Sequence, residues 1–151
     1  MEQPTRYEFG DAQTEIVCEY LRNAGLNVDQ YNPDYFEDYS TDQDLRHGDI
    51  YVYTKEEKLE IDIKTTRKDG RCFISENSIS NFQGDFFGCI PYDGDAEKTL
   101  FIPARVAQSY YRACKKNNAI VNGPSGKPGF LINTHLMRAK TTIQEFINFY
   151  K

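Results

Sequence analysis

From Phe9 to Ala24 the apolar residues Phe9, Ala12, Ile16, Val17, Tyr20, Leu21 and Ala24 recur at helical spacing, and Gly25 follows as a natural stop. Leu26-Asn27-Val28 opens a short strand. The stretch from Gln30 to His47 is acidic, rich in tyrosine and without a clean period. It reads as a long loop with room for an edge strand, and loops of that length are usually functional or mobile. Ile50-Tyr51-Val52-Tyr53 and Leu59-Glu60-Ile61-Asp62-Ile63-Lys64 are predicted strands joined by the hairpin-length Thr54–Lys58. A short helix is expected from Ser75 to Gln83, with Glu76 in its first turn and Gly84 after it. Phe86–Pro91 and Thr99–Ile102 are compact apolar runs, read as buried strands. Pro103 opens a helix from Ala104 to about Asn117. Ala119–Asn122 and Phe130–Asn133 pair as a hairpin around a Gly-Pro-Ser-Gly-Lys-Pro-Gly loop, and Thr141–Tyr150 closes the chain as a helix.

The order is α-β-β-β-α-β-β-α, then a hairpin and a final helix. It describes one α/β domain over residues 1–151, with no repeat and no linker to divide it. A chain of 151 residues with 39% hydrophobic content can bury a real core. No apolar run approaches a membrane span, and the polar start Met1–Arg6 does not resemble a secretory signal. Cys18, Cys72, Cys89 and Cys114 are scattered, without zinc-site spacing, and read as small buried thiols of a cytoplasmic protein.

A net charge of −5 argues against a general polyanion binder. The charge is unevenly spread, however. Acids gather between Asp29 and Asp44, while Lys64, Arg67, Lys68 and Arg71 form a basic run. A local phosphate-facing patch is therefore compatible with an acidic average.

Alternation along the strands selects the candidate chemistry. Leu59, Ile61 and Ile63 face a core, and Glu60, Asp62 and Lys64 face the other way. Ile50 and Val52 share a face, which leaves Asp49 on the opposite one. Two antiparallel neighbours would bring Asp49 beside Asp62 and Lys64. Two carboxylates suit Mg²⁺ or Mn²⁺, and a lysine beside them can orient a water or stabilise a pentacoordinate phosphorus. Acids and lysines on an exposed strand face would give the same bare spacing, so the surrounding elements carry the weight.

Gly48-Asp49 followed thirteen positions on by Asp62-Ile63-Lys64 resembles the signature of the PD-(D/E)xK nuclease superfamily. Upstream, Gly10-Asp11-Ala12-Gln13-Thr14-Glu15, then Leu21 and Gly25, resembles the first helix of archaeal Holliday-junction resolvases. The likeness covers about Phe9 to Pro103, leaving residues 104–151 as a C-terminal extension. It implies a restriction-endonuclease-like α-β-β-β-α-β core with a mixed sheet flanked by helices. It further implies Asp49, Asp62 and the Ile63 carbonyl as metal ligands, Lys64 as the catalytic lysine, and Glu15 as an accessory acid, with Glu19 as its rival. Gly48 departs from the family's proline, and Asp62 stands where Glu is commoner.

Thr66, Arg67, Lys68 and Arg71 follow the catalytic strand and are candidates to grip a DNA backbone. A polar solvated turn is the competing reading. His47 reads as a loop-end residue and His135 as structural. The expected activity is Mg²⁺- or Mn²⁺-dependent hydrolysis of DNA phosphodiesters, as an endonuclease. RNA stays open because the motif does not read the sugar, and a homodimer would let two sites act on both strands. The alternative is a nuclease-like scaffold used as an acidic binding or inhibitory protein that mimics nucleic acid.

Overall fold

The computed structural model describes residues 6–30 and 48–151, with side chains from residue 10 onward in the first helix. Most of the acidic stretch, and with it His47, lies outside the described residues. Helix α1 (Arg6–Asn23) leads into β1 (Asn27–Gln30). Strands β2 (Ile50–Tyr53) and β3 (Lys58–Thr65) form the expected hairpin. Next come β4 (Arg71–Ser75), α2 (Glu76–Asn81), β5 (Phe86–Ile90), β6 (Leu100–Pro103) and α3 (Ala104–Lys116). The chain closes with β7 (Val121–Asn122), β8 (Pro128–Asn133), β9 (Thr141–Thr142) and α4 (Ile143–Tyr150).

Six strands make the main sheet, in the order β1-β2-β3-β5-β6-β9. Its pairs are antiparallel except β3 with β5, which run parallel with Lys64 opposite Cys89 and Thr65 opposite Ile90. The sheet is thus mixed and flanked by helices, as the residue pattern and the family likeness together led us to expect.

Each face of the sheet has its own core. On one, Leu59, Ile61, Ile63, Ile90 and Phe101 pack under α1 (Val17, Cys18, Leu21) and α4 (Ile143, Phe146, Ile147). Phe101 and Phe146 stack with ring centroids 4.5 Å apart. On the other, Phe87, Cys89 and Ile102 meet Ile79 of α2 and Phe82 just after it, Ala104 and Ala107 of α3, and the strands of a second sheet.

That second sheet departs from the sequence reading. The sequence reading puts Arg71 in a polar turn and Ser75 at a helix start, yet Arg71–Ser75 is β4, and it pairs antiparallel with β8 in a three-stranded sheet ordered β4-β8-β7. Its alternation is genuine, with Cys72 and Ile74 fully buried. The run is short and begins with an arginine, so its period is visible only once its partner is known. The closing helix is also shorter than expected. Thr141 and Thr142 add an edge strand to the main sheet, and Thr142 caps α4 in a reciprocal capping box with Glu145. Residues 104–151 therefore contribute to both cores. No helix among the described residues is long and apolar enough to cross a membrane.

Candidate active site

Pairing of β2 with β3 sets Ile50 opposite Ile61, so Asp49 arrives one step further along, beside Asp62. Asp49 Oδ2 accepts the Ile63 backbone N–H at 2.8 Å, and its carboxyl group hydrogen-bonds that of Asp62. Close approach of the two strands requires Gly48: a Cβ there would lie 2.7 Å from the backbone N and O of Ile61. The Gly48 N–H also donates to Glu60 Oε2 at 3.4 Å, a contact that proline could not make. Glycine at position 48 thus has a local physical reason.

Lys64 completes the cluster. Its Nζ lies 3.2 Å from Asp62 Oδ2, with side chains only 24% and 15% exposed. On its other side it donates to Ser78 Oγ at 3.4 Å. Ser78 is buried in the first turn of α2, where its backbone N–H donates to the N-cap Ser75 Oγ and its hydroxyl accepts a bond from the same group. Ser78 therefore positions Lys64. Nothing local in the sequence ties Ser78 to a lysine on another strand.

The electrostatics follow from two acids and one base withdrawn from water. Burial, then the Asp62 charge and hydrogen bond, pushes the Asp49 carboxyl well above its ordinary value, against the opposing pull of the Ile63 N–H and Lys64. Burial acts to lower the Lys64 pKa, but the Asp62 and Asp49 carboxylates outweigh it and the ammonium form is favoured. The raised Asp49 pKa is the response of two neighbouring carboxyl groups withdrawn from water. Two such carboxylates fit a hard divalent cation, which takes oxygen ligands and needs only one or two acids from the protein.

The remaining sequence candidates are dispersed. Glu15 is exposed on α1 and lines a shallow groove with Ala12, Ile16, Glu19, Tyr20, Asn23 and Ala96. Helix α1 covers the face of β3 opposite to Asp62 and Lys64, and Glu19 sits in the same groove, paired with Arg22 at 3.1 Å. Among the described residues, no group of three or more His, Cys, Asp or Glu side chains is placed to hold a metal ion. Thr66 is buried, and its N–H donates to the Ile90 carbonyl at 2.9 Å. Arg67 closes a turn through backbone bonds with Arg71 and Gly70. The Arg71 guanidinium is held by Asp69 at 2.8 Å. Lys68 is exposed and lies over the Tyr92 ring, 5.6 Å from its centroid.

No protein-family model matches the chain, and no curated protein sequence matches it significantly. Solved structures do. Hjc, a Holliday junction resolvase from the archaeal hyperthermophile Archaeoglobus fulgidus, superposes with a TM-score of 0.55 at 12% identity, over 92% of this chain and 95% of that one. A bacterial homing endonuclease superposes with a TM-score of 0.53 at 12% identity, over 95% of this chain and 86% of that one. Both have restriction-endonuclease-like folds of the PD-(D/E)xK type. At such identities the likeness speaks for architecture alone, and the architecture of this chain is restriction-endonuclease-like.

Proposed function

We propose that this protein is a metal-dependent endonuclease that hydrolyses DNA phosphodiester bonds at the Asp49/Asp62/Lys64 cluster. The observation that carries the reading is the meeting of two mutually hydrogen-bonded carboxyl groups with a lysine 3.2 Å from one of them. Two neighbours sharing the fold, described as a resolvase and an endonuclease, support it. The ligand set supported best is Asp49, Asp62 and the Ile63 carbonyl, for Mg²⁺ or Mn²⁺. Glu15 stands outside this inner set because α1 packs on the far face of the sheet. A cation bound there would supply Lewis acidity toward a phosphate oxygen and make a water more acidic.

The chain's own residues do the rest. Lys64, held by Asp62 and Ser78 and favoured in its ammonium form, is placed to stabilise negative charge growing on the phosphate oxygens. Asp62 orients that ammonium. Asp49, tied to the Ile63 N–H, has its carboxyl plane set before substrate arrives.

Cleavage of labelled duplex, single-stranded and branched DNA with Mg²⁺ or Mn²⁺ tests the reading, using wild type, Asp62→Asn and Lys64→Ala. Metal-dependent cutting that both substitutions abolish is expected. Absence of cutting and of metal binding would overturn it in favour of an acidic, nucleic-acid-mimicking scaffold.

A further inference from the structure

Helix α3 carries Arg105, Arg112, Lys115 and Lys116 and no acid, in a chain of net charge −5. At ~100° per residue, Arg105, Ser109, Arg112 and Lys116 fall within ~60° of one another around the helix and span ~17 Å along it. All four are exposed. The opposite side, with Ala104, Ala107, Tyr111 and Cys114, packs into the second core.

Helix stability does not call for this row. Cations in the last turn complement the helix dipole, which accounts for Lys115 and Lys116. Arg105 stands in the first turn, where the dipole disfavours a cation, and Arg112 lies before the last turn. Among the described residues, Arg105, Arg112 and Lys116 are held in no ion pair. Arg105 shares a groove with Glu57 and Asp85, which offset its charge, so Arg112 and Lys116 are the cations that remain. The Arg112 guanidinium donates to Ser109 Oγ at 3.0 Å, which sets it along the row before anything binds.

The row belongs to the cluster's side of the molecule. Asp62 and Lys64 stand opposite Phe87 and Cys89 in the β3–β5 pairing and so share their face of the sheet. On that face Phe87 and Cys89 pack with Ala104 and Ala107 of α3. Helix α2 joins the two: Ser78 accepts from Lys64 Nζ, and Gln108 of α3 donates to the Phe82 carbonyl just after α2 at 3.5 Å. Gln108 lies one turn before Arg112, so Arg112 is on the flank of α3 turned toward α2. The exposed side chains of the α2 segment, Asn77, Ser80 and Gln83, are uncharged.

We infer that the Arg112–Lys116 end of α3 is an anchoring surface for the phosphate backbone of DNA flanking the cleavage point. The inference rests on the nuclease reading and adds a second contact to the same substrate. Phosphate contacts come from Arg and Lys together with Ser, Asn and Gln, the side chains this surface presents. Arginine meets a phosphate with two parallel N–H bonds. Elsewhere an acidic average repels a polyanion, so this row gives the backbone its place of approach.

Binding of a labelled DNA duplex, read by fluorescence anisotropy in Ca²⁺ over a series of salt concentrations, tests this, with cleavage followed in Mg²⁺. Wild type is compared with the Arg112→Gln/Lys116→Gln double variant. Lys55→Gln, which removes a charge from the exposed turn between β2 and β3, is the control. Loss of two phosphate contacts should flatten the slope of log affinity against log salt by ~1.8 and weaken binding at least about tenfold at ~0.1 M salt. The specificity constant kcat/KM should fall in step, through KM. Lys55→Gln should leave the slope unchanged, as a side chain that merely faces water does. A double variant with the wild-type slope, or a Lys55→Gln that flattens it as much per charge removed, overturns the surface and leaves the nuclease reading standing. The expected flattening, with a wild type that binds DNA but never cuts it, keeps the surface and overturns the nuclease reading. A wild type that binds no DNA overturns both.

Discussion

On one face of β3, Leu59, Ile61 and Ile63 are buried under α1 and α4, each 8% exposed or less. On the other, Glu60, Asp62 and Lys64 keep some contact with water and gather opposed charges. The apolar face stabilises the fold by about 1.5–3 kcal/mol per fully buried side chain. The polar face holds two acids close enough that, with burial, the proton affinity of Asp49 is raised. The strand therefore separates a buried apolar face from a charged one by a single residue of phase. A slip of one position in the β2–β3 register would exchange the two and ruin both.

Substitutions on the two faces can break that comparison. The largest effect is expected from Asp62→Asn: cleavage should fall on the order of 10³-fold while the melting temperature holds or rises. Single-turnover assays with calorimetry check this, and a large loss of stability would show that Asp62 belongs to the scaffold. Ile61→Ala should do the reverse. A destabilisation of about 2–5 kcal/mol in urea titration is expected, with the folded fraction still cutting.

The pH dependence sharpens the contrast. Because native Asp49 holds its proton above the ordinary carboxylate value of 3.8, the folded state binds more protons than the unfolded chain in that window. The stability of the cation-free protein should fall as pH rises from about 3.8 through the native pKa, by about 1.4 kcal/mol per unit of separation, and stay reduced above it. Asp49→Asn keeps an oxygen for the Ile63 N–H but cannot ionise. It should flatten this slope and raise stability at neutral pH while abolishing cleavage. A slope equal to wild type would place the raised pKa elsewhere.

The smallest effect concerns positioning. Ser78→Ala leaves Lys64 tethered by Asp62 alone and should lower kcat about tenfold at constant KM, the low end for a hydrogen bond to a charged group. It should also move the alkaline limb of the pH–rate profile. A change in KM alone would deny Ser78 its hold on the lysine.

The acid–lysine cluster was legible because its signal is local: alternation on β3, the phase of Asp49 against Ile50 and Val52, and a connection short enough to force antiparallel pairing. The helix acid was harder. Glu15 lies off the apolar stripe of α1, as a residue facing either solvent or a site would. Nothing within the helix itself separates the two. The basic run after β3 read as one patch, yet Thr66 is buried, Arg71 is held by Asp69, and Lys68 lies over Tyr92.

Period and phase belong to residues two to four apart, so the chain's own order dictated the main strands, most of the helices and the face on which Asp62 and Lys64 stand. Partnership does not reside in any one segment. The second sheet, the contact of Ser78 with Lys64 and the reach of Gln108 to Phe82 all join residues far apart along the chain. Their formation depends on how two cores close on opposite faces of one sheet, and that closure is a property of the tertiary structure alone.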